Sequence, residues 1–161
     1  MRVCAIVSLT ALAILSSAPA GAQARPARAD PNCTYQTCAL GVAPVWNGLE
    51  VTRGDSQRRV GMLGFFVPED ISSVFADDPE AADVARDAFR VRQIGAVLTD
   101  AGIVIAATGI ARALFHWEWD SWATGLTLAG GASLAAGIPF QFAADGALSR
   151  AVWLYNRRFA R

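Results

Sequence analysis

Residues 94–115 and 123–144 form two apolar runs rich in glycine and alanine, separated only by the connector His116-Trp117-Glu118-Trp119-Asp120-Ser121-Trp122. A helix rises about 1.5 Å per residue, so roughly 20 apolar residues reach across a hydrocarbon layer about 30 Å thick. Both runs meet that length. A pair of such helices joined by so short a connector has to fold back as a hairpin, and the tryptophans at the turn suit the boundary between hydrocarbon and water.

The rest of the chain agrees with this reading. Of 161 residues, 53% are hydrophobic and 17% are charged, too apolar for a disordered chain or for a comfortable soluble surface. Arg2, an apolar stretch over residues 3–15, Pro19 and then Ala22-Gln23-Ala24 follow the order of a secretory leader with an A-x-A cleavage site, which predicts a signal peptide over 1–24. Residues 25–38 read as a flexible tail carrying Cys33 and Cys38. In an exported segment this pair favours a disulfide over metal binding, because two thiols and the single remote His116 do not fill a zinc shell. Side chains five positions apart on a helix point about 140° away from each other, so the bridge argues for a loop over 33–38.

Residues 39–76 hold short apolar clusters broken by Asn47-Gly48, Arg53-Gly54-Asp55 and Arg58-Arg59, the punctuation of one or two short strands or turns. Asp77-Asp78-Pro79-Glu80 is a helix start, with an aspartate cap, proline at the first helical position and acidic groups where the helix dipole favours them. No breaker follows before Ile94, so one helix is expected over 77–116, its span being 94–116 and its residues Arg86, Arg90 and Arg92 reaching water at the membrane surface. The connector is 117–122 and the second span 123–144. The tail 145–161 sets Leu148, Val152, Tyr155 and Phe159 at helical spacing among arginines, the pattern of a separate amphipathic helix lying on a membrane surface. The predicted fold class is therefore mainly α: a two-helix transmembrane hairpin preceded by a helix and a small irregular or short-strand extracytoplasmic segment.

Gly95, Gly102 and Gly109 recur every seven residues in the first span. The second offers Gly130, Ser133 and Gly137, so each span has a face that a partner backbone can approach closely, either the other span or a second protomer. Asp100 and Gln141 are the polar intrusions. A carboxylate at the centre of a membrane helix costs roughly 2.5 to 3.5 kcal/mol, so Asp100 is expected either to find a partner such as Ser133, Thr99 or a second chain, or to lie near the interface because the span starts at about Ala101. Gln141, beside Pro139, reads as the mark of a kink. Trp117, Trp119 and Trp122 form an interfacial belt at one end, with Trp153, Tyr155, Arg157 and Arg158 expected at the other.

Orientation is contested within the sequence. The leader places both outer ends of the hairpin on the exported side, whereas the arginines flanking those ends, opposite a connector without Lys or Arg, place them in the cytoplasm. The complete leader pattern carries more weight, giving periplasmic N- and C-terminal segments.

Several function classes have no footing. Acidic and basic residues balance at 14 each and leave no field to recruit nucleic acid. No nucleophile elbow, phosphate loop, metal cluster or paired-carboxylate site is present, so no catalytic, cofactor-binding or metal-ligating residue is assigned and no enzyme is expected. The closing run Arg150-Ala151-Val152-Trp153-Leu154-Tyr155-Asn156, after a Pro-Glu-Ala-Ala helix start and two glycine-rich spans, resembles that of small uncharacterised exported membrane proteins of bacteria ending in Ala-Val-x-x-Tyr-Asn. The resemblance implies a place in the bacterial envelope and carries no activity with it; the location expected for the chain within that envelope is the inner membrane. The expected role is an accessory or scaffold component whose partners are membrane lipids and either itself or another envelope protein; the alternative is an oligomeric channel or transporter component with Asp100 in a polar path.

Overall fold

The computed structural model describes residues 33–160; the predicted leader over 1–24 and residues 25–32 lie outside them. The described chain is mainly helical and carries one three-stranded antiparallel sheet. A single helical turn, α1 (Tyr35–Cys38), precedes strands β1 (Leu40–Val45), β2 (Gly48–Arg53) and β3 (Arg58–Gly64). After a 3-10 turn at Ser72–Phe75 come two long helices, α2 (Pro79–His116) and α3 (Ser121–Asn156), and a last 3-10 turn at Arg157–Phe159.

Cys33 and Cys38 form a disulfide with Cα atoms 5.5 Å apart. The loop expected between them is instead a helical turn opened by Thr34, whose side chain and that of Thr37 satisfy each other's backbone amides. Cys33 lies before the helix cap, so the angular argument against a helix does not apply to it.

The 39–76 segment makes three strands rather than one or two. β2 pairs along both edges, Val45 facing Gly48 across the first turn and Gly48 facing Gly64 across the second pair, with a bulge between Val51 and Thr52. Glycine is required twice: Gly48 has φ +138° and Gly54 φ +65°, and a Cβ at Gly54 would stand 2.8 Å from the Thr37 carbonyl oxygen. One face of the sheet, with Leu40, Val51 and Leu63, closes a core with Ile71, Phe75, Ala81, Ala85 and Ala88 and with Leu148, Ala151, Leu154 and Tyr155 of α3. Phe75 and Tyr155 meet edge to face at 5.9 Å.

α2 begins as expected: Asp78 accepts a hydrogen bond from the Ala81 amide at 3.1 Å, and Pro79 fills the first helical position. It then runs 38 residues without a break, about 57 Å. α3 is equally continuous over 36 residues, through Pro139 and through Asp145-Gly146. This corrects the separate surface helix expected over 145–161. Its apolar stripe is taken up by protein, with Leu148, Val152 and Tyr155 buried against the sheet and α2.

Asn156 ties the two layers together. Its Oδ1 accepts from the Leu40 amide at 2.9 Å, and its Nδ2 donates to the Leu40 carbonyl at 2.7 Å, so one side chain pairs both backbone groups of a buried strand residue. Replacing Asn156 with alanine leaves both unpaired and is expected to cost about 1–3 kcal/mol. Hydrogen exchange checks this: the Leu40 amide should lose protection while amides in the middle of α2 keep theirs.

Candidate functional site

The two long helices meet along a seam of small residues in a strict seven-residue repeat: Gly95, Gly102 and Gly109 on α2, and Ala123, Gly130, Gly137 and Ala144 on α3, all buried. The backbones touch. A Cβ on Gly102 would lie 2.8 Å from the Gly130 carbonyl oxygen, and one on Gly109 2.8 Å from that of Ala123. The glycines singled out from sequence thus face each other within the hairpin. Ser133 joins them by donating to the Leu98 carbonyl at 2.8 Å, whereas Ala129, Gly125 and Gly131 face away.

The same seam continues above the apolar half, and there it holds a charge. Ala81, Ala82, Ala85, Ala88, Arg92, Gly95 and Ala96 are the buried positions in that part of α2. Arg92, expected to reach water, is 0% exposed. Its guanidinium donates to Gln141 Oε1 and to Asp145 Oδ1 on α3, and the ring of Phe65, just past β3, lies 5.0 Å from it. Alanine and glycine on either side leave the space that a long side chain needs, and the ion pair with Asp145 and the hydrogen bond to Gln141 together offset its desolvation. Gln141 is therefore a hydrogen-bond partner of a buried arginine, one turn of α3 before Asp145. Extending the glycine register back from Gly95 by three residues would have found Arg92.

Outward, the apolar half carries a belt of exposed side chains, Ile94, Val97, Ile103, Val104, Ile110, Leu114 and Phe115 on α2 and Trp122, Leu128, Ile138 and Phe142 on α3. From Ile94 to Phe115 is about 32 Å along the axis, and from Trp122 to Phe142 about 30 Å. Both helices are long and apolar enough to cross a membrane. Asp100 is on this outer face, exposed, and the partners expected for it are engaged elsewhere: Thr99 donates to the Gly95 carbonyl and Ser133 to that of Leu98. With Arg90, Gln93, Ile94, Val97 and the segment Phe66-Val67-Pro68 it lines an open groove of about 740 Å³ between α2 and the foot of the sheet.

At the opposite end, Trp117, Trp119 and Trp122 are exposed around the turn, Trp117 with left-handed φ of 54°. Asp120 starts α3, accepting from the Ala123 amide at 2.7 Å, and receives two hydrogen bonds from Arg112 at 2.6 and 3.0 Å. Arg112 first, and the Ala123 amide next, hold the Asp120 carboxyl below the ordinary carboxylate range. Folding lowers this group's pKa, so its contribution is complete above the ordinary value of 3.8 and is lost as pH falls through the lowered one. In a His116→Gln variant, which removes the imidazole beside Trp117, tryptophan fluorescence from the turn should stay constant on acidification until below about pH 4; a transition near neutrality in that variant would contradict the pairing.

The expected belt of Trp153, Tyr155, Arg157 and Arg158 does not form. Tyr155 is 1% exposed within the core, and that burial pushes its hydroxyl pKa up, with Arg158 opposing. Arg158 stacks on the Tyr155 and Phe159 rings and pairs with Asp77 at 3.4 Å, and Arg157 pairs with Glu80. Trp153 is exposed but stands about 16 Å beyond Phe142 along α3. These arginines found acidic partners at the start of α2, a long-range pairing that local spacing does not reveal. Among the described residues no three His, Cys, Asp or Glu side chains gather as a metal site. No protein-family model matches the chain, and it has no match among curated proteins or solved structures.

Proposed function

We propose that this is a non-enzymatic membrane protein of the bacterial envelope, a scaffold that crosses the bilayer as a helical hairpin and holds a small sheet-and-helix head at its surface for a larger assembly. The observation that carries this reading is the division of each long helix: an outer belt about 30 Å tall of exposed apolar side chains, backed by a close-packed glycine seam, and above it an alanine-rich face covered by the sheet. The surface has the dimensions of a bilayer, and the head presents folded polar surface beyond it. The disulfide suits an exported head, which favours outer ends and the C-terminal segment on the periplasmic side.

The test is fractionation with topology reporters. The tagged chain should remain with membranes after alkaline extraction, and a fusion at residue 161 should be active only as a periplasmic reporter. Release by alkali would sink the membrane reading, and a cytoplasmic signal would reverse the orientation. The alternative, a channel or transporter component, is favoured only by Asp100, exposed in the apolar half. Asp100→Leu separates the two: a scaffold should keep its abundance and gain stability from losing a membrane carboxylate, while a conducting assembly should lose conductance.

A further inference from the structure

The end of the hairpin nearest the sheet has no tryptophan of its own at the edge of the apolar belt, unlike the end that carries Trp117, Trp119 and Trp122. The sheet supplies one. β1 is pinned at Leu40 by Asn156, and the foot of the sheet is pinned where Phe65 covers Arg92. Strands advance about 3.3 Å per residue, so Trp46 lies about 20 Å along β1 from Leu40, and Phe142, the top of the α3 belt, lies about 21 Å along α3 from Asn156. The turn holding Trp46 is fastened to the next segment by the Phe65 amide, which donates to the Asn47 carbonyl at 2.8 Å. Phe66, Val67 and Pro68 follow directly and border the groove along Ile94 and Val97, where the belt begins. Trp46 is 89% exposed and Val67 73%, large apolar groups at the end of the sheet nearest the belt.

We propose that this tip, Trp46 with Phe66 and Val67, is a membrane-docking edge whose occupant is the lipid of the same bilayer, at the boundary between headgroups and acyl chains. The proposal rests on the transmembrane reading of the hairpin. Ile94 and Val97 of the apolar belt and the Phe66-Val67-Pro68 segment line the two sides of one open groove, which Asp100 also borders, so lipid that fills the groove touches both. Arg90 and Gln93, at the upper side of the groove, set polar groups at headgroup level. An indole at the boundary keeps its ring in the apolar layer and its N–H on the wet side, the arrangement that enriches tryptophan there. The head is thereby held against the membrane at a second point, on the sheet, besides the helices themselves.

The full chain reconstituted in phosphatidylcholine–phosphatidylglycerol vesicles tests this, with lipids brominated either close to the headgroup or deep in the chain as quenchers. Three single-tryptophan variants retain Trp46, Trp122 or Trp153, phenylalanine replacing the other four. Trp46 should lose more fluorescence to shallow bromines than to deep ones, Trp122 should be quenched as well, and Trp153 should be unaffected. In the otherwise natural chain, Trp46→Phe should reduce the shallow quenching. Quenching of Trp122 without Trp46 would overturn the docking edge while leaving the hairpin in the membrane. No quenching of Trp122 would remove the transmembrane reading and this proposal with it. Equal quenching of Trp153 and Trp46, or no change on Trp46→Phe, would also overturn it.

Discussion

Replacing Asp145 with alanine is expected to destabilise the fold by about 3–5 kcal/mol, because it strands the Arg92 guanidinium inside the protein with one hydrogen-bond partner in place of two. The opposite change is milder in kind: Arg92→Met removes the charge that must be desolvated and leaves Asp145, which is partly in water. The double variant Arg92→Met with Asp145→Leu should therefore recover most of what Asp145→Ala loses, since an apolar pair of similar volume needs no compensation in that place. Thermal unfolding in detergent, followed by near-ultraviolet circular dichroism, reads all three. An Asp145→Ala protein as stable as the parent would mean that Arg92 reaches water and that the buried pair does not exist.

Gly130→Val should separate the helices. A side chain at Gly130 meets the backbone of Gly102 and Ala106, neither of which can rotate out of the way, and overpacking of this sort costs typically 1–3 kcal/mol, more where backbone is the obstacle. Its neighbour is the control. Gly131 has nothing within 4 Å of the site a Cβ would take, so Gly131→Ala should be neutral or should stabilise α3 by roughly 0.5–1 kcal/mol through its helix propensity. Cross-linking between cysteines placed on the facing sides of α2 and α3 would report the separation directly: lost in Gly130→Val, kept in Gly131→Ala. Equal behaviour of the two variants would place the seam elsewhere.

These two sites differ in how far they could be read from the chain alone. Gly95, Gly102 and Gly109 announce themselves because a seven-residue repeat of the smallest side chain is a local pattern, and a local pattern needs only one helix to be visible. The start of α2 was legible for the same reason: Asp78 and Pro79 act within one turn. Arg92 looked like its neighbours Arg86 and Arg90, and only the register of the seam distinguishes it, since Arg86 and Arg90 pair at helical spacing with Asp83 and Asp87 on the outer surface. The tail failed differently. Leu148, Val152 and Tyr155 do form an apolar stripe, but periodicity states that a face is buried and not what buries it; a bilayer and a small sheet ask for the same residues. The third strand was missed because Arg58 and Arg59 read as a break, whereas they begin β3 in register opposite Arg53 and Thr52.

The clasp of Asn156 on Leu40 joins positions 116 residues apart. The strands are made early in synthesis, yet the edge of β1 acquires its partner only when the last turn of α3 exists. At roughly 5–20 residues per second this is an interval on the order of 6 to 23 s, during which the half-built sheet presents open hydrogen-bonding groups and the face that will carry Leu40, Val51 and Leu63. A chain interrupted anywhere in α3 never leaves that condition. The head is thus a record of completion: it closes only once both long helices have been made to their last turn.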